Sequence, residues 1–200
     1  MKALAQVALF LFLNVVSAQN RYENEAYGFS IDEPEGWIWA SNEDLKQNLG
    51  KLDLDDKKLL KIISDHKGSL LLLSMYKYDP MTHSGLIPAI QINVREKRNK
   101  DFEVFKSYMH KSALSLKDIY TDYEFIDEPK EIKINRIKSL YFSGKFTMKT
   151  QTGVEHRVRN RVYIIPHESY YFQVTFTDGM LTEDCTELYE KLLKTIKIKK

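Results

Sequence analysis

Cys185 is the only cysteine of the 200-residue chain, and a thiolate is a strong nucleophile. It falls in the first turn of a predicted C-terminal helix, where the helix dipole lowers the pKa of a thiol. Glu183, Asp184 and Glu187 surround it and oppose that effect. Because Cys185 also lies on the apolar stripe of this helix, the sequence favours a buried structural residue over a nucleophile.

Histidines are the second group that could do chemistry, as metal ligands or general bases. The chain has five of them: His66, His83, His110, His156 and His167. None belongs to an H-E-x-x-H motif or to another zinc spacing. His156 alternates in phase with Val158 and Val162, which predicts an inward-facing side chain on a strand. A core or rim histidine is therefore favoured over a metal ligand.

Asp53, Asp55 and Asp56 resemble the start of a calcium loop. The loop glycine is missing, and Ser64 stands where the twelfth-position glutamate belongs, so acids at a helix N-terminus explain them better. The chain also lacks G-x-G-x-x-G, Walker and G-x-S-x-G motifs, and no spacing joins serine, histidine and aspartate into a triad. We therefore predict no catalytic residue, no metal site and no cofactor.

A charged sheet face is the one pattern that predicts a site. Three predicted strands near the C-terminus carry apolar side chains on one face: Phe142, Phe146, Met148, Val158, Val162, Ile164, Phe172, Val174 and Phe176. The opposite face would carry Lys145, Lys149, Arg157, Arg159, Arg161, Tyr171 and Gln173. Turns centred near Thr152 and His167 would place Lys145 beside Arg159, and Arg161 beside Gln173.

Five cations on one face repel each other, so something must offset them. The offset could be an acidic partner, or Asp and Glu side chains from elsewhere in the fold. These alternatives correspond to a contact surface for an anionic or acidic protein partner, and to an ordinary solvated face.

The elements that position these residues follow from the hydrophobic pattern. Strands are predicted at "GFSID", "SLLLLSMYKYD", "IPAIQINVRE" and the three C-terminal segments. Helices are predicted after Ser41, around Leu59 to His66, after Asp101, and after a Thr182 cap. In the third helix the apolar face would run through Phe102, Phe105, Met109, Ser112 and Leu116. This order indicates an α+β sandwich around a mostly antiparallel sheet.

Composition and the N-terminal residues limit the classes of protein to which the chain can belong. Apolar residues make up 43% and charged residues 29%, and the net charge of +2 gives no bulk attraction to nucleic acid. The segment "MKALAQVALFLFLNVVSA" combines Lys2, a short apolar run and small residues at its end, which predicts a signal peptide cleaved after Ala18. Residues 19–200 would then form one exported domain that does not span a membrane.

Both tryptophans lie in "DEPEGWIWA". Pro34 would end a strand, Gly36 would permit a turn, and Trp37 would plug the core beneath it. Trp39 would share the face of Trp37 if the chain stays extended. This interpretation makes Trp37 a structural residue rather than part of a binding site.

The stretch "GFSIDEPEGW" resembles the opening of Mog1/PsbP-like domains, and "YYFQVTFTD" followed by "LYEKLLKTIKI" resembles their ending. The resemblance covers about residues 25–198 and implies an α/β/α sandwich with a central antiparallel sheet. It also implies a mostly non-catalytic family, and the bacterial envelope members are the most similar branch. It transfers no functional residues.

Two functions follow as expectations. The first is a secreted or periplasmic, non-enzymatic binding or accessory protein that contacts an envelope or secreted protein. The alternative is a carrier of a small ligand, lipid or metal ion in the cell envelope. The sequence names neither partner nor oligomeric state.

Overall fold

The computed structural model describes residues 20–40, 69–120, 122–150 and 153–199. Several sequence-based predictions lie outside them. These are the signal peptide, the helices after Ser41 and around residues 59–66, and the three acids of the calcium-like segment.

A seven-stranded antiparallel sheet forms the centre of the described part. Its strands, in spatial order, are β3 (Ile38–Trp39), β4 (Ser69–Tyr76), β5 (Ala89–Glu96), β9 (Tyr170–Gly179), β8 (Glu155–Pro166), β7 (Ile137–Lys149) and β6 (Glu124–Ile134). A smaller sheet has the order β1 (Arg21–Asn24), β2 (Phe29–Asp32) and β10 (Lys197–Ile198). All the strand pairs are antiparallel.

The helices lie on both sides of the large sheet. Helix α1 (Phe102–Leu114) and the single turn α2 (Leu116–Ile119) precede β6, and helix α3 (Thr186–Thr195) follows β9. Asp101 caps α1 as predicted, because its carboxylate accepts a hydrogen bond from the Val104 amide at 2.9 Å. None of the described helices is both long and apolar enough to cross a bilayer.

The first face of the large sheet, called here the α3 face, packs against α3 and the small sheet. Phe29 and Ile31 of β2 and Tyr189 of α3 are buried there against Phe172 and Phe176 of β9. Burial of this apolar surface is the main force holding the two layers together.

The opposite face, called here the α1 face, packs against α1. Phe105, Met109 and Ala113 of the helix bury against Phe142 and Val162 of the sheet. The prediction that Ser112 faces the core is wrong, since Ser112 is exposed and the next residue, Ala113, takes that place. The three layers confirm the predicted α+β sandwich around a mostly antiparallel sheet.

Helix α3 begins later than predicted. Thr182 does not cap it, because Glu183 adopts a left-handed backbone with φ of 61° and Cys185 occupies the cap position. The Cys185 amide instead donates to Oδ2 of Asp178 at 2.8 Å. A side chain at the end of β9 therefore satisfies one of the amides that a helix start leaves unpaired.

Candidate functional site

The hairpin of β7 and β8 gathers the predicted cations on the α3 face. Lys145 lies opposite Arg159, as predicted, and Arg157 lies opposite Thr147. Arg161 and Lys149 continue the same face by the two-residue alternation of strands. The five cations are thus brought together, as the sequence pattern indicates.

Tyr171 and Gln173 do not join them. Arg161 lies opposite Phe176, whereas Gln173 lies opposite Ile164, so the predicted pairing of Arg161 with Gln173 is wrong. The register differs from the predicted one by three residues, and an odd shift moves every side chain of a strand to the other face. Gln173 and the buried Tyr171 therefore belong to the α1 face.

The same shift corrects the predicted apolar face. Phe142 and Val162 do share the α1 face, but Phe172, Val174 and Phe176 lie on the α3 face beside the arginines. Strand β9 is thus apolar on its α3 face, whereas its α1 face carries Tyr171, Gln173, Thr175 and Thr177.

The inner half of the charged face is a buried cluster around Asp178. Arg159 donates to both carboxylate oxygens of Asp178, through Nε at 3.0 Å and Nη2 at 2.8 Å. Arg161 donates through Nη1 to Oδ1 at 2.8 Å, and its Nη2 donates to Oγ1 of Thr186. Since a buried charge is tolerated only when it is paired, this cluster belongs to the folded core and is closed to a partner.

The outer half is more exposed to solvent than the inner half, and each of its cations has an acidic neighbour. Lys145 Nζ lies 2.8 Å from Glu124, and Arg157 Nη1 lies 2.8 Å from Asp122. Lys149 is more loosely paired with Glu155, at 3.7 Å. Of the two alternatives that could offset the repulsion, the structure contains the second: acids from elsewhere in the fold. We call these six side chains the charged rim.

The ion pairs of the charged rim are weak. The hydrogen bond from Lys145 holds the pKa of the Glu124 carboxyl below its ordinary value. Exposed ion pairs contribute about 0–1 kcal/mol each, because water competes for both charges. A partner's charged groups can therefore replace the internal ones at little cost.

Sequence reasoning missed the acids of this site. Asp178 carried a usable signal, as an acid at the end of the otherwise apolar and hydroxyl-bearing run "VTFT". Asp122 and Glu124 carried no such signal, because Asp122 lies just before β6 and Glu124 is its first residue, and the sequence analysis did not predict this strand.

Among the residues that the structure describes, the cysteine and histidine residues that could act as nucleophiles or metal ligands are buried or lie apart from the charged rim. Cys185 is buried, and burial raises the pKa of its thiol, which is the opposite of what a nucleophile needs. His156 lies opposite Met148 and on the same face of β8 as Val158, as the alternation of side chains along the strand predicts. Within residues 20–40, 69–120, 122–150 and 153–199, no three His, Cys, Asp or Glu side chains are grouped to hold a metal.

The tryptophan segment forms a corner of the fold. Pro34 is buried, Gly36 has φ of 74°, and the Trp37 amide donates to the Pro34 carbonyl. The half-buried Trp37 ring meets Tyr189 of α3 edge-on, with 6.1 Å between centroids. Trp39, in edge strand β3, is 51% exposed and contacts Tyr22.

A cavity of about 450 Å³ lies at the opposite end of the sheet from the charged rim. Its lining comprises Tyr27, Ser69, Leu70, Val94, Glu96, Ser169 and Tyr170. The two tyrosine rings meet edge-on at 5.5 Å. The cavity is an open groove rather than an enclosed space, so only part of a ligand's surface would be buried there.

Comparison with known proteins supports the fold. No family model and no curated protein matches the chain. A crystal structure of a protein from Bacteroides thetaiotaomicron VPI-5482 is 13% identical, with a TM-score of 0.51 over 91% of this chain and 49% of that one. The chain thus spans about half the length of that protein.

The solution structure of the cyanobacterial PsbP protein CyanoP, from Synechocystis sp. PCC 6803, is 11% identical. Its TM-score is 0.52, over 93% of this chain and 96% of that one. The Saccharomyces cerevisiae Ran-binding protein Mog1p is 10% identical, with a TM-score of 0.49 over 90% and 95% of the two chains. The likeness to CyanoP over almost the whole of both chains shows that this protein has the Mog1/PsbP-like fold.

Proposed function

We propose that this protein is an exported, non-enzymatic accessory protein that acts by contacting an envelope or secreted protein partner through the charged rim. The observation that carries the proposal is the division of the basic face. Its inner half is closed by Asp178, whereas its outer half presents ordered charges of both signs to solvent.

Mixed charge favours a protein as the partner over a nucleic acid. The rim holds three cations and three acids, so it has no excess of positive charge to attract phosphates. Alternating charges give protein interfaces their specificity and orientation. The signal-like residues 1–18 support export, to the periplasm or beyond, with cleavage after Ala18.

The test must spare the buried cluster. Reversing Arg159 or Arg161 would remove one of the two cations of the buried Asp178 and place a second carboxylate beside it, and loss of binding would then only report unfolding. The informative variant is Lys149→Glu with Arg157→Glu, because both side chains lie at the outer end of the face.

A matched control reverses two cations elsewhere on the surface. Lys106→Glu with Lys138→Glu changes the same amount of charge at exposed lysines that pair with Glu131. Envelope proteins crosslinked to the mature chain should be lost with the rim variant and retained with the control variant. Equal capture by both variants would contradict the proposal.

The cavity of Tyr27 and Tyr170 favours a second candidate function, the binding of a small ligand. Native mass spectrometry of the purified chain should then show a bound molecule. The variant Leu70→Trp, which places a large ring on the wall of the cavity at an exposed position, should remove that molecule while leaving partner capture at the rim unchanged. A ligand-free spectrum of the wild-type chain would argue against this second function.

A further inference from the structure

Three loops lie at the end of the sheet that carries the charged rim, and each has an exposed apolar residue. Leu181, in the loop from β9 to α3, is 86% exposed. Met81, between β4 and β5, is 63% exposed, and Val154, between β7 and β8, is also exposed. A single exposed leucine is ordinary, but apolar side chains on three neighbouring loops form a candidate for recognition.

The loops are held together by hydrogen bonds. The Met180 amide donates to the carbonyl of Arg157 at 3.1 Å, which places the residue before Leu181 beside a residue of the charged rim. The carboxylate of Glu183 accepts from Lys77 Nζ at 2.6 Å and from the Tyr78 hydroxyl at 2.9 Å. These contacts join the loop of Leu181 to the loop of Met81.

Glu183 holds the Leu181 loop in a strained conformation. Its φ of 61° lies in the left-handed region, which is unfavourable for a residue other than glycine. The bond to Lys77 lowers the pKa of Glu183, so the carboxylate that fixes the turn stays charged. Strain of this kind persists only where the surrounding contacts enforce it, and it is concentrated at functional sites.

Gly179 closes the base of the same loop. A Cβ at this position would come within 2.0 Å of the Thr182 carbonyl oxygen and 2.8 Å of Leu86 Cδ2. The loop is thus wound tightly against the end of β9, and Leu181 is displayed from a fixed backbone. Preorganised loops bind with a smaller loss of entropy than mobile ones.

We propose that Leu181, supported by Met81, is the apolar anchor of the contact surface, and that the partner is a protein with an apolar pocket bordered by charged side chains. The inference rests on the proposed function, since the charged rim would form the polar border of the same interface. An apolar centre with a polar border is the usual anatomy of protein interfaces.

The surroundings of Leu181 favour a protein pocket over the other possible occupants. The cations at this end are paired with Glu183, Asp184 and Glu155, so they provide no excess of positive charge to attract an anionic lipid surface. A second copy meeting this end symmetrically would present the same projecting side chains rather than a pocket.

Site-specific photocrosslinking of the full chain in its own cells tests the inference. A benzophenone amino acid is placed at Leu181, at Lys149 in the charged rim, and at Val104, an exposed residue of α1. We expect one protein adduct of the same mass from positions 181 and 149, and none from position 104. An adduct at 149 without one at 181 would overturn the anchor and leave the proposed function standing.

The remaining outcomes are also decisive. No adduct at either position would overturn both proposals, whereas an adduct of twice the chain's mass, or one to lipid, would overturn the protein pocket.

With the captured partner purified, Leu181→Ser should weaken binding about thirtyfold, as expected for a hot-spot residue, and Leu181→Met should not. Leu114→Ser, at an exposed leucine of α1, should leave affinity unchanged.

Discussion

Arg161 and Asp178 form an ion pair that is closed to solvent: Nη1 of the arginine donates to Oδ1 of the aspartate at 2.8 Å, and their side chains are 9% and 0% exposed. The pair connects β8 to β9 and, through the bond from the Cys185 amide to Asp178, both strands to the start of α3. It therefore contributes to the fold that carries the contact surface without belonging to that surface.

Asp178→Ala should lower the free energy of unfolding by about 3–5 kcal/mol, because it leaves Arg159 and Arg161 without their shared counterion. Urea denaturation followed by tryptophan fluorescence measures the change. Glu155→Ala, which removes an exposed partner of Lys149, should cost less than about 1 kcal/mol. A cost of similar size for both variants would contradict the division of the face into a buried and an exposed half.

Acid titration should reveal the carboxylate of Asp184. Its hydrogen bonds with Thr186 and the charge of Arg159 lower its pKa from 3.8 to about 2. A group whose pKa is lower in the folded state stabilises the protein above its unfolded pKa and loses that effect as the pH falls through the folded value. The advantage of wild type over Asp184→Asn should thus be constant above pH ~5 and disappear towards pH ~2.

The thermal unfolding midpoints of the two proteins, measured between neutral pH and the acid limit, test this prediction. Asparagine keeps a cap acceptor for the Thr186 amide, so the comparison isolates the titrating charge. The difference should not exceed about 1 kcal/mol, since the carboxylate is half-exposed. A difference that is the same at pH 7 and at pH 2.5 would count against it.

The two hairpins of the C-terminal meander show where sequence reasoning succeeds. The pairing of Lys145 with Arg159 was predictable because the polar turn between β7 and β8 has one obvious centre. The next turn is centred between Glu168 and Ser169, not at His167. Hydrophobic alternation favoured the wrong register, because it matches the apolar side chains of β9 with the valines of β8, whereas Phe176 in fact lies opposite Arg161.

Strand β6 was not predicted from the sequence, and the reason is a different one. It lies at the edge of the sheet, with Pro129 and several charged residues in its sequence and two irregularities in its pairing with β7. Natural sheets protect an edge in this way, and the same features remove the apolar signal by which a strand is detected. Its acids, including the partner of Lys145, were missed with it.

Gly144→Ala should destabilise the protein by about 1–3 kcal/mol, because a Cβ at this position would lie 2.2 Å from the ring of Tyr123. The ring covers the glycine and belongs to the cluster of Phe146 and Val158, so it has no free space to enter. Denaturant unfolding of Gly144→Ala, Tyr123→Leu and the double variant measures the coupling. The double variant should recover part of the loss, whereas strictly additive losses would contradict the proposed steric contact.

Trp37→Ala should lower the free energy of unfolding and should not weaken partner binding in the protein that remains folded. The ring is half-buried and meets Tyr189 of α3, so its removal should lower the free energy of unfolding by about 2–4 kcal/mol, somewhat below the usual cost for a fully buried tryptophan. Trp39→Ala removes an exposed ring whose contact with Tyr22 is worth about 0.5–1.5 kcal/mol. Denaturant unfolding of both variants, together with crosslinked capture at the charged rim, separates the two effects. A Trp37→Ala protein that is as stable as wild type but captures no partner would make this corner a binding site rather than a structural one.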